Sequence, residues 1–362
     1  MTTTPRAQPG APNSPRDEPI EVCVVGSMGR DLLFPVGALP RAGQTVLSAD
    51  LSTSLGGKGS NQAAAAARLG RRTALVTRIG ADDGADLVER LARAGVVTDF
   101  CRPTAGVPSQ HAVLLVAPDG ENMIAVSQGA SAHLSPQDVA DHRDLIRAAR
   151  VLLLQQEVPA QTVAAAVLGA AAGAGGGPRS AERGPLVILN PAPSRPVDAG
   201  VLAAVDYLVP NAGELADLLG ADEPATAEQA AALLRAAGLP SRAVVVTLGA
   251  QGALAAFRPE QSRASDAPRF VHVPAPEVES VDTVGAGDTF CGALADALCR
   301  GEPLPDAVRW ATHAGALAVT RPGAQGGLPD AQAVRDLIKA SGIEWTAVGE
   351  SSIPVRPEST VR

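Results

Sequence analysis

Asp288 follows three small residues, Gly285, Ala286 and Gly287, inside the run D-T-V-G-A-G-D-T-F from Asp282 to Phe290. Small residues at a turn let backbone N–H groups approach an anion closely, and a helix opening there aims the positive end of its dipole at the same point. A carboxylate beside such a hole repels a bound phosphate, so its presence calls for a reason. General base fits: Asp288 takes the proton from a substrate hydroxyl while the amides hold charge on the phosphoryl group moving onto it. Helix capping is the plainer role the same residue can fill, since Asp is favoured at helix N-termini.

A second glycine turn, G-G-K-G-S-N from Gly56 to Asn61, also precedes helical sequence. Lys58 can neutralise an anion there, and Asn61 offers both donor and acceptor to hydroxyls. A tight helix start would need the same glycines. The run is not a Walker loop, because Lys58 is followed by Gly59 rather than Ser or Thr. The earlier G-S-M-G-R-D, Gly26 to Asp31, lacks the spacing of a dinucleotide fingerprint. Asp31 falls instead past the carboxyl end of the first expected strand, where open α/β sheets bind ligands, and a carboxylate suits a polyhydroxylated substrate.

The elements that must position these residues alternate. Strand-like runs at 21–26, 73–79, 151–155, 186–189, 207–210 and 244–248 are each followed by turn signals and helical sequence, which predicts an α/β domain with a mainly parallel sheet. Segments 45–52 and 111–127, the latter with a turn at 118–120, read as a small separate sheet, a flap. Stretches 173–184 and 261–267 read as surface loops. Residues 1–19 read as a disordered tail, the folded domain as 20–340 with its flap from about 33–54 and 100–128, and 341–362 as a C-terminal tail of unassigned role.

With 362 residues and 46% hydrophobic content the chain can bury one large core or two modest ones. A formal charge of -8 without a dense Lys/Arg cluster argues against nucleic acid or an anionic membrane as partner, so any phosphate is gripped locally. No apolar run approaches a membrane span, and the N-terminus lacks the apolar core of a signal peptide. Cys23, Cys101, Cys291 and Cys299 show no C-x-x-C spacing and read as buried reduced thiols, which suits a cytoplasmic protein.

These motifs in this order resemble the ribokinase family of sugar kinases from about Val22 to Leu328. The resemblance rests on G-G-K-G-S-N-Q-A, D-T-V-G-A-G-D-T-F, N-P-A-P from Asn190, P-N-A-G-E from Pro210, T-L-G-A-Q-G from Thr247 and A-V-T-R-P-G-A-Q from Ala318. It implies a three-layer α/β fold with a small β-sheet lid, and pairing of lids in a homodimer. It implies ATP-dependent phosphorylation of the primary hydroxyl of a pentose, D-ribose first, with Asp288 as base and Gly285, Ala286 and Gly287 as anion hole. A kinase of another sugar or of a nucleoside, and an inactive sugar-binding regulator, are the alternatives.

Carried over by position, the resemblance puts Gly29, Arg30, Asp31, Gly57, Lys58, Gly59, Ser60, Asn61 and Glu157 against the sugar, together with Asp288. Asn211, Thr247, Leu248, Gly249, Ala250, Gln251, Gly252 and Thr312 fall against the nucleotide, along with Gly287 and Asp288. Glu214 helps place Mg²⁺ through water, and Asp282 with carbonyls of Val284, Ala318, Arg321, Gly323 and Gly327 surrounds an activating K⁺. Three departures stand out. Gly29 replaces an Asn, removing a hydroxyl contact; Gly327 replaces a serine at the cation site; Thr312 replaces a His or Asn beside the adenine.

Overall fold

In this computed structural model, residues 18–118, 121–171, 184–259 and 267–349 are described. The expected N-terminal tail, the loops at 173–184 and 261–267, the tip of the turn at 118–120 and the end of the C-terminal tail fall almost wholly outside them.

Short apolar runs without polar alternation belong to strands covered on both faces. Val22–Val25 (β1) is such a strand, buried along its whole length. In chain order follow β2 (Gly29–Pro35), β3 (Ser52–Gly56), β4 (Thr73–Gly80), β5 (Cys101–Thr104), β6 (Gln110–Val116), β7 (Asn122–Ser127), β8 (Val151–Leu154), β9 (Leu186–Leu189), β10 (Tyr207–Leu208), β11 (Ala243–Thr247), β12 (Ala253–Phe257), β13 (Arg269–Val273) and β14 (Thr346–Ala347). Ten of them form one sheet in the order β14-β13-β12-β11-β10-β9-β8-β1-β4-β5. The strands from β11 to β5 run parallel, and β12, β13 and β14 add an antiparallel end.

Successive strand residues face opposite sides, and the core divides accordingly. Val22, Val24, Leu75 and Leu153 pack with the helices Lys58–Arg68, Ala286–Cys299 and Leu304–Ala318. Cys23, Val25, Val76, Leu152 and Leu154 pack with the helices Ala160–Ala171 and Ala227–Ala237 on the other side. The result is the expected three-layer α/β arrangement. β1 lies between β4 and β8, with sequence leading away on both sides, so the strand order reverses beside it. The carboxyl ends of β1 and β8 therefore open onto the crevice where such sheets take ligands.

The second sheet has four strands in the order β3-β2-β6-β7. A small separate sheet was expected, but its composition differs from the sequence reading. Residues 45–51 form no strand beyond an isolated bridge between Val36 and Ser48. The strand begins at Ser52, and β2, whose polar start Gly29-Arg30-Asp31 disguises it, lies at the centre. β5 joins the main sheet instead. At the other end Thr346–Ala347 pairs with β13, and Val348 N donates to Phe270 O at 2.9 Å, so the main sheet continues past residue 340.

Candidate active site

Each parallel strand near the switch point ends in polar residues. Ser27 follows β1; Gln155, Gln156 and Glu157 follow β8; Asn190 follows β9; Asn211 comes just after β10; Thr247 closes β11. The helix Lys58–Arg68 begins directly against the first of these turns. A Cβ at Gly59 would lie 2.6 Å from both Ser27 N and O, so only glycine allows the approach. Glu157 holds the junction together: its Oε2 accepts from Lys58 N at 2.9 Å, from Gln110 Nε2 at 3.2 Å and from Ser27 Oγ. Asp31, on β2, stands over Gly56 of the neighbouring strand, where an added Cβ would fall within 2.4 Å of its carboxylate.

Asp288 sits in the first turn of Ala286–Cys299, 8% exposed. Its Oδ2 accepts from Asn61 Nδ2 and its Oδ1 from Gln62 Nε2, each at 3.0 Å. The amides are themselves held: Gln62 Oε1 accepts from Gln155 Nε2 at 2.7 Å, Gln62 Nε2 also reaches Asn190 Oδ1 at 3.1 Å, and Asn61 Oδ1 accepts from Gln325 Nε2 at 3.1 Å. Burial raises the Asp288 pKa above the ordinary carboxylate value, while Lys58 and the two amides pull it back. Asp31 is pushed up to about 6 by burial and then by Glu157 and Asp288. Lys58, drawn upward chiefly by Asp288, stays the cation among three acidic groups. A cluster with this balance favours hydroxyls and resists an incoming phosphate unless other positive ends face it.

Such ends are close by. Gly285 caps the helix at φ 80°, a left-handed conformation, and a Cβ there would be 2.7 Å from Ala324 Cα. Gly287, by contrast, faces open space. The N–H groups of Gly287 and Asp288 are among the first four, which a helix leaves without an internal partner, whereas that of Ala286, expected in the anion hole, is engaged by Thr283 O at 3.3 Å. Asp282 anchors the loop: Oδ1 accepts from Val284 N at 2.9 Å and Oδ2 from Gly323 N at 2.8 Å. Val281 N and Asp282 N both donate to Val319 O. The segments 281–285 and 318–327 are thereby brought together, and Gly327 fits because a Cβ would strike Ala318 O at 2.1 Å.

Asn211 and Glu214 form a reciprocal cap: Asn211 Oδ1 accepts from Glu214 N at 2.7 Å and Glu214 Oε2 from Asn211 N at 2.9 Å. Glu214 is therefore more than a surface charge, and burial raises its pKa with Lys58 and Asp288 within electrostatic reach. Thr247 is bridged to Asn211 and leads into the turn Leu248 to Gly252, where Leu248 N donates to Gly252 O.

Residues 19–331 match the model of the pfkB family carbohydrate kinases. The chain belongs to the pfkB family of carbohydrate kinases. Among its relatives are the ribokinase of Bacillus subtilis, 35% identical over 88% of this chain and 99% of that one, and the deoxyribokinase of Salmonella typhi, 32% identical over 86% and 96%. The structure of Arabidopsis thaliana ribokinase complexed with ribose and ATP superposes with a TM-score of 0.77 at 30% identity, over 89% of this chain and 99% of that one. The fold is the ribokinase fold, and the chemistry is ATP-dependent phosphorylation of a carbohydrate.

Within this kinase, Asp31, Gly57, Lys58, Gly59, Asn61, Glu157, Gly285, Ala286, Gly287 and Asp288 come together around the crevice. Some predicted residues do not bring their side chains there: Ser60 is fully buried with its hydroxyl turned back to Gly56 O and Gly57 O, Gln251 gives its amide to Ala225 O, and Arg30 and Thr312 also face elsewhere. Arg30 precedes Asp31 on β2 and so faces the opposite side of the small sheet, where it pairs with Asp86 at 2.7 Å. Thr312 is buried in Leu304–Ala318 and gives its hydroxyl hydrogen to Val308 O at 2.8 Å. Sequence reasoning in turn missed Gln62, Gln155, Asn190, Gln110 and Ser27. Gln62 and Asn190 lie inside G-G-K-G-S-N-Q-A and N-P-A-P, but neutral amides announce no chemistry until their partners are known.

The crowding of acids has a measurable consequence. An Asp near pKa 6 when folded and about 3.9 when unfolded binds more protons in the folded state between those values, so it lowers stability above pH 6 and ceases to do so as pH falls. Asp31→Asn should therefore melt above the parent at pH 7.5, and the difference should shrink toward pH 5. Equal melting temperatures at pH 7.5 would refute the electrostatic account of Asp31.

Proposed function

We propose that the enzyme transfers the γ-phosphoryl group of ATP to the primary hydroxyl of D-ribose, giving ribose 5-phosphate and ADP. The observation that carries this reading is the position of Asp288. It lies at the opening of a helix whose free N–H groups make an anion hole, and its carboxylate is tethered to Asn61 of the hydroxyl-binding turn. Asp288 takes the hydroxyl proton, the freed oxygen bonds to the γ-phosphorus, and the bond from that phosphorus to the β–γ bridging oxygen breaks, releasing ADP. The pocket contributes positioning and charge stabilisation, with the Gly287 and Asp288 amides on the phosphoryl oxygens and Lys58 offsetting the acids.

Glu214 fits a hydrated Mg²⁺, since Asn211 N engages Oε2 and leaves Oε1 for a water ligand; the ion would neutralise phosphate charge. Among the described residues no group of three or more His, Cys, Asp or Glu side chains is arranged to hold a metal. Asp282 and the carbonyl-rich segments 281–285 and 318–327 fit a monovalent cation, K⁺, that would hold the anion-hole loop in place. Exchanging K⁺ for a large organic cation should lower kcat severalfold; complete indifference to the cation would dispose of this site.

The nucleotide lies along Thr247 to Gly252. A homodimer through the small sheet is supported by β7, an edge strand that exposes Met123, Ile124 and Val126. Light scattering that returned the monomer mass would overturn it. The described residues hold no helix long and apolar enough to cross a membrane, and four unpaired cysteines suit a reducing cytoplasm.

The test of the function is ADP release with Mg-ATP and K⁺ over D-ribose, 2-deoxyribose, arabinose, xylose, fructose, adenosine and uridine. Selective turnover of D-ribose is the expected result. Preference for 2-deoxyribose is the second reading, favoured by the bare Gly29 and by the relationship to a deoxyribokinase. Turnover of a nucleoside alone would overturn both.

A further inference from the structure

The face of the small sheet that carries Asp31 has a row of three paired positions across β6, β2 and β3: Gln110, Gly29 and Gly56. Residues paired across strands share a face, and Asp31 lies on it too, two residues from Gly29. Two members of the row have no side chain. The only one in it belongs to Gln110, which is 3% exposed.

Its amide is oriented without ambiguity. Nε2 donates to Glu157 Oε2 at 3.2 Å, and rotating the amide would set its oxygen against that carboxylate. Oε1 must then point away from Glu157, and it is a buried acceptor with no hydrogen-bond partner among the described residues. Leaving a buried acceptor unpaired costs its desolvation, which exceeds the net contribution of a typical hydrogen bond, so such an atom marks a place for a donor. Gln110 also governs Gly29: a Cβ there would lie 2.4 Å from Gln110 O and 2.7 Å from Gln110 Cβ. This strand pair accommodates one side chain, and Gln110 provides it.

We propose that Gln110 is a substrate-specificity residue, accepting through Oε1 a hydrogen bond from one sugar hydroxyl other than the one phosphorylated, above the bare backbone of Gly29 and beside Asp31. The proposal rests on the reading of this crevice as a sugar site. It makes the hydroxyl contact missing at position 29 a contact moved to the next strand, and it gives Glu157 a positioning part, since Glu157 sets which end of the amide faces the sugar.

The experiment compares the parent with Gln110→Met, which keeps the length and removes the acceptor, and with Gln110→Ala. Steady-state kinetics are run with the sugar that the parent turns over and with its deoxy analogues lacking one hydroxyl at a time. In the parent, one analogue should show kcat/KM lowered about tenfold, the scale of one hydrogen bond. In Gln110→Met the intact sugar should lose about the same factor, the penalty of that analogue should disappear, and the KM for ATP should stay unchanged. Equal losses on every analogue, or a Met variant with parental kcat/KM for the intact sugar at a parental melting temperature, would overturn the proposal. Failure of the parent to phosphorylate D-ribose would sink the ribose reading alone, because the same comparison then proceeds with the sugar that is turned over. If no sugar is turned over, calorimetric binding of D-ribose and its deoxy analogues reads the same pattern, and absence of binding overturns the proposal.

Discussion

Asp288→Asn is expected to lower kcat by about 10²–10⁴-fold, the range for loss of a positioned general base, while the sugar continues to bind. The reason lies in what the carboxylate does in the resting site. Both oxygens accept hydrogen bonds, from Asn61 and Gln62, so the group is aimed by its neighbours rather than by its own rotamer preference. Its raised pKa keeps it a better proton acceptor than an exposed Asp, and the acid limb of the kcat profile should report its deprotonation. Asparagine removes the proton acceptor but also turns one oxygen into a donor facing an amide donor. Gln62 cannot turn to suit it without losing Gln155, nor Asn61 without losing Gln325. Asp288→Ala, which removes both oxygens, should therefore be run beside it, with melting temperatures for each. A slow Asn variant with a slow Ala variant, both still binding sugar by calorimetry, is the expected pattern. Near-parental kcat in either would remove Asp288 from the base role.

The readable part of this site was the part built from charge and glycine. Asp288 behind Gly285-Ala286-Gly287 and Lys58 within Gly56 to Asn61 imply chemistry by type and spacing, and the structure brings them together. Parallel strands were legible because a fully buried run needs no alternation, as β1 and β8 illustrate. The small sheet was harder. β2 starts with Gly-Arg-Asp, which reads as a turn, and only pairing with β3 and β6 makes it a strand. Arg30 shows the cost of that: carried over by position from the resemblance it falls against the sugar, whereas strand alternation sends it to Asp86. The amide chain through Gln62, Gln155 and Asn190 was invisible for a different reason. Its members lie on different elements, more than ninety residues apart for Gln62 and Gln155, and their meaning is only in whom they meet.

Gly285→Ala is expected to produce the second largest loss, about 10²–10³-fold in kcat, the scale of a disabled anion hole. Two costs act at one position. An L side chain at φ 80° occupies a left-handed conformation that disfavours a Cβ by about 1–2 kcal/mol. The new methyl also meets backbone, 2.7 Å from Ala324 Cα and 2.8 Å from its Cβ, and backbone cannot step aside as a flexible side chain does. The segment it would push is tied through Gly323 N to Asp282, whose other oxygen holds Val284 N, so the strain is delivered to the loop that presents the amides. Sugar affinity should change little, because Asp31, Lys58 and Glu157 lie on other elements. Gly287→Ala supplies the contrast: its Cβ meets nothing within 4 Å, so its melting temperature should match the parent while that of Gly285→Ala falls. A Gly285→Ala enzyme with parental kcat would mean that the amides at this helix opening do not hold the transferred phosphoryl group.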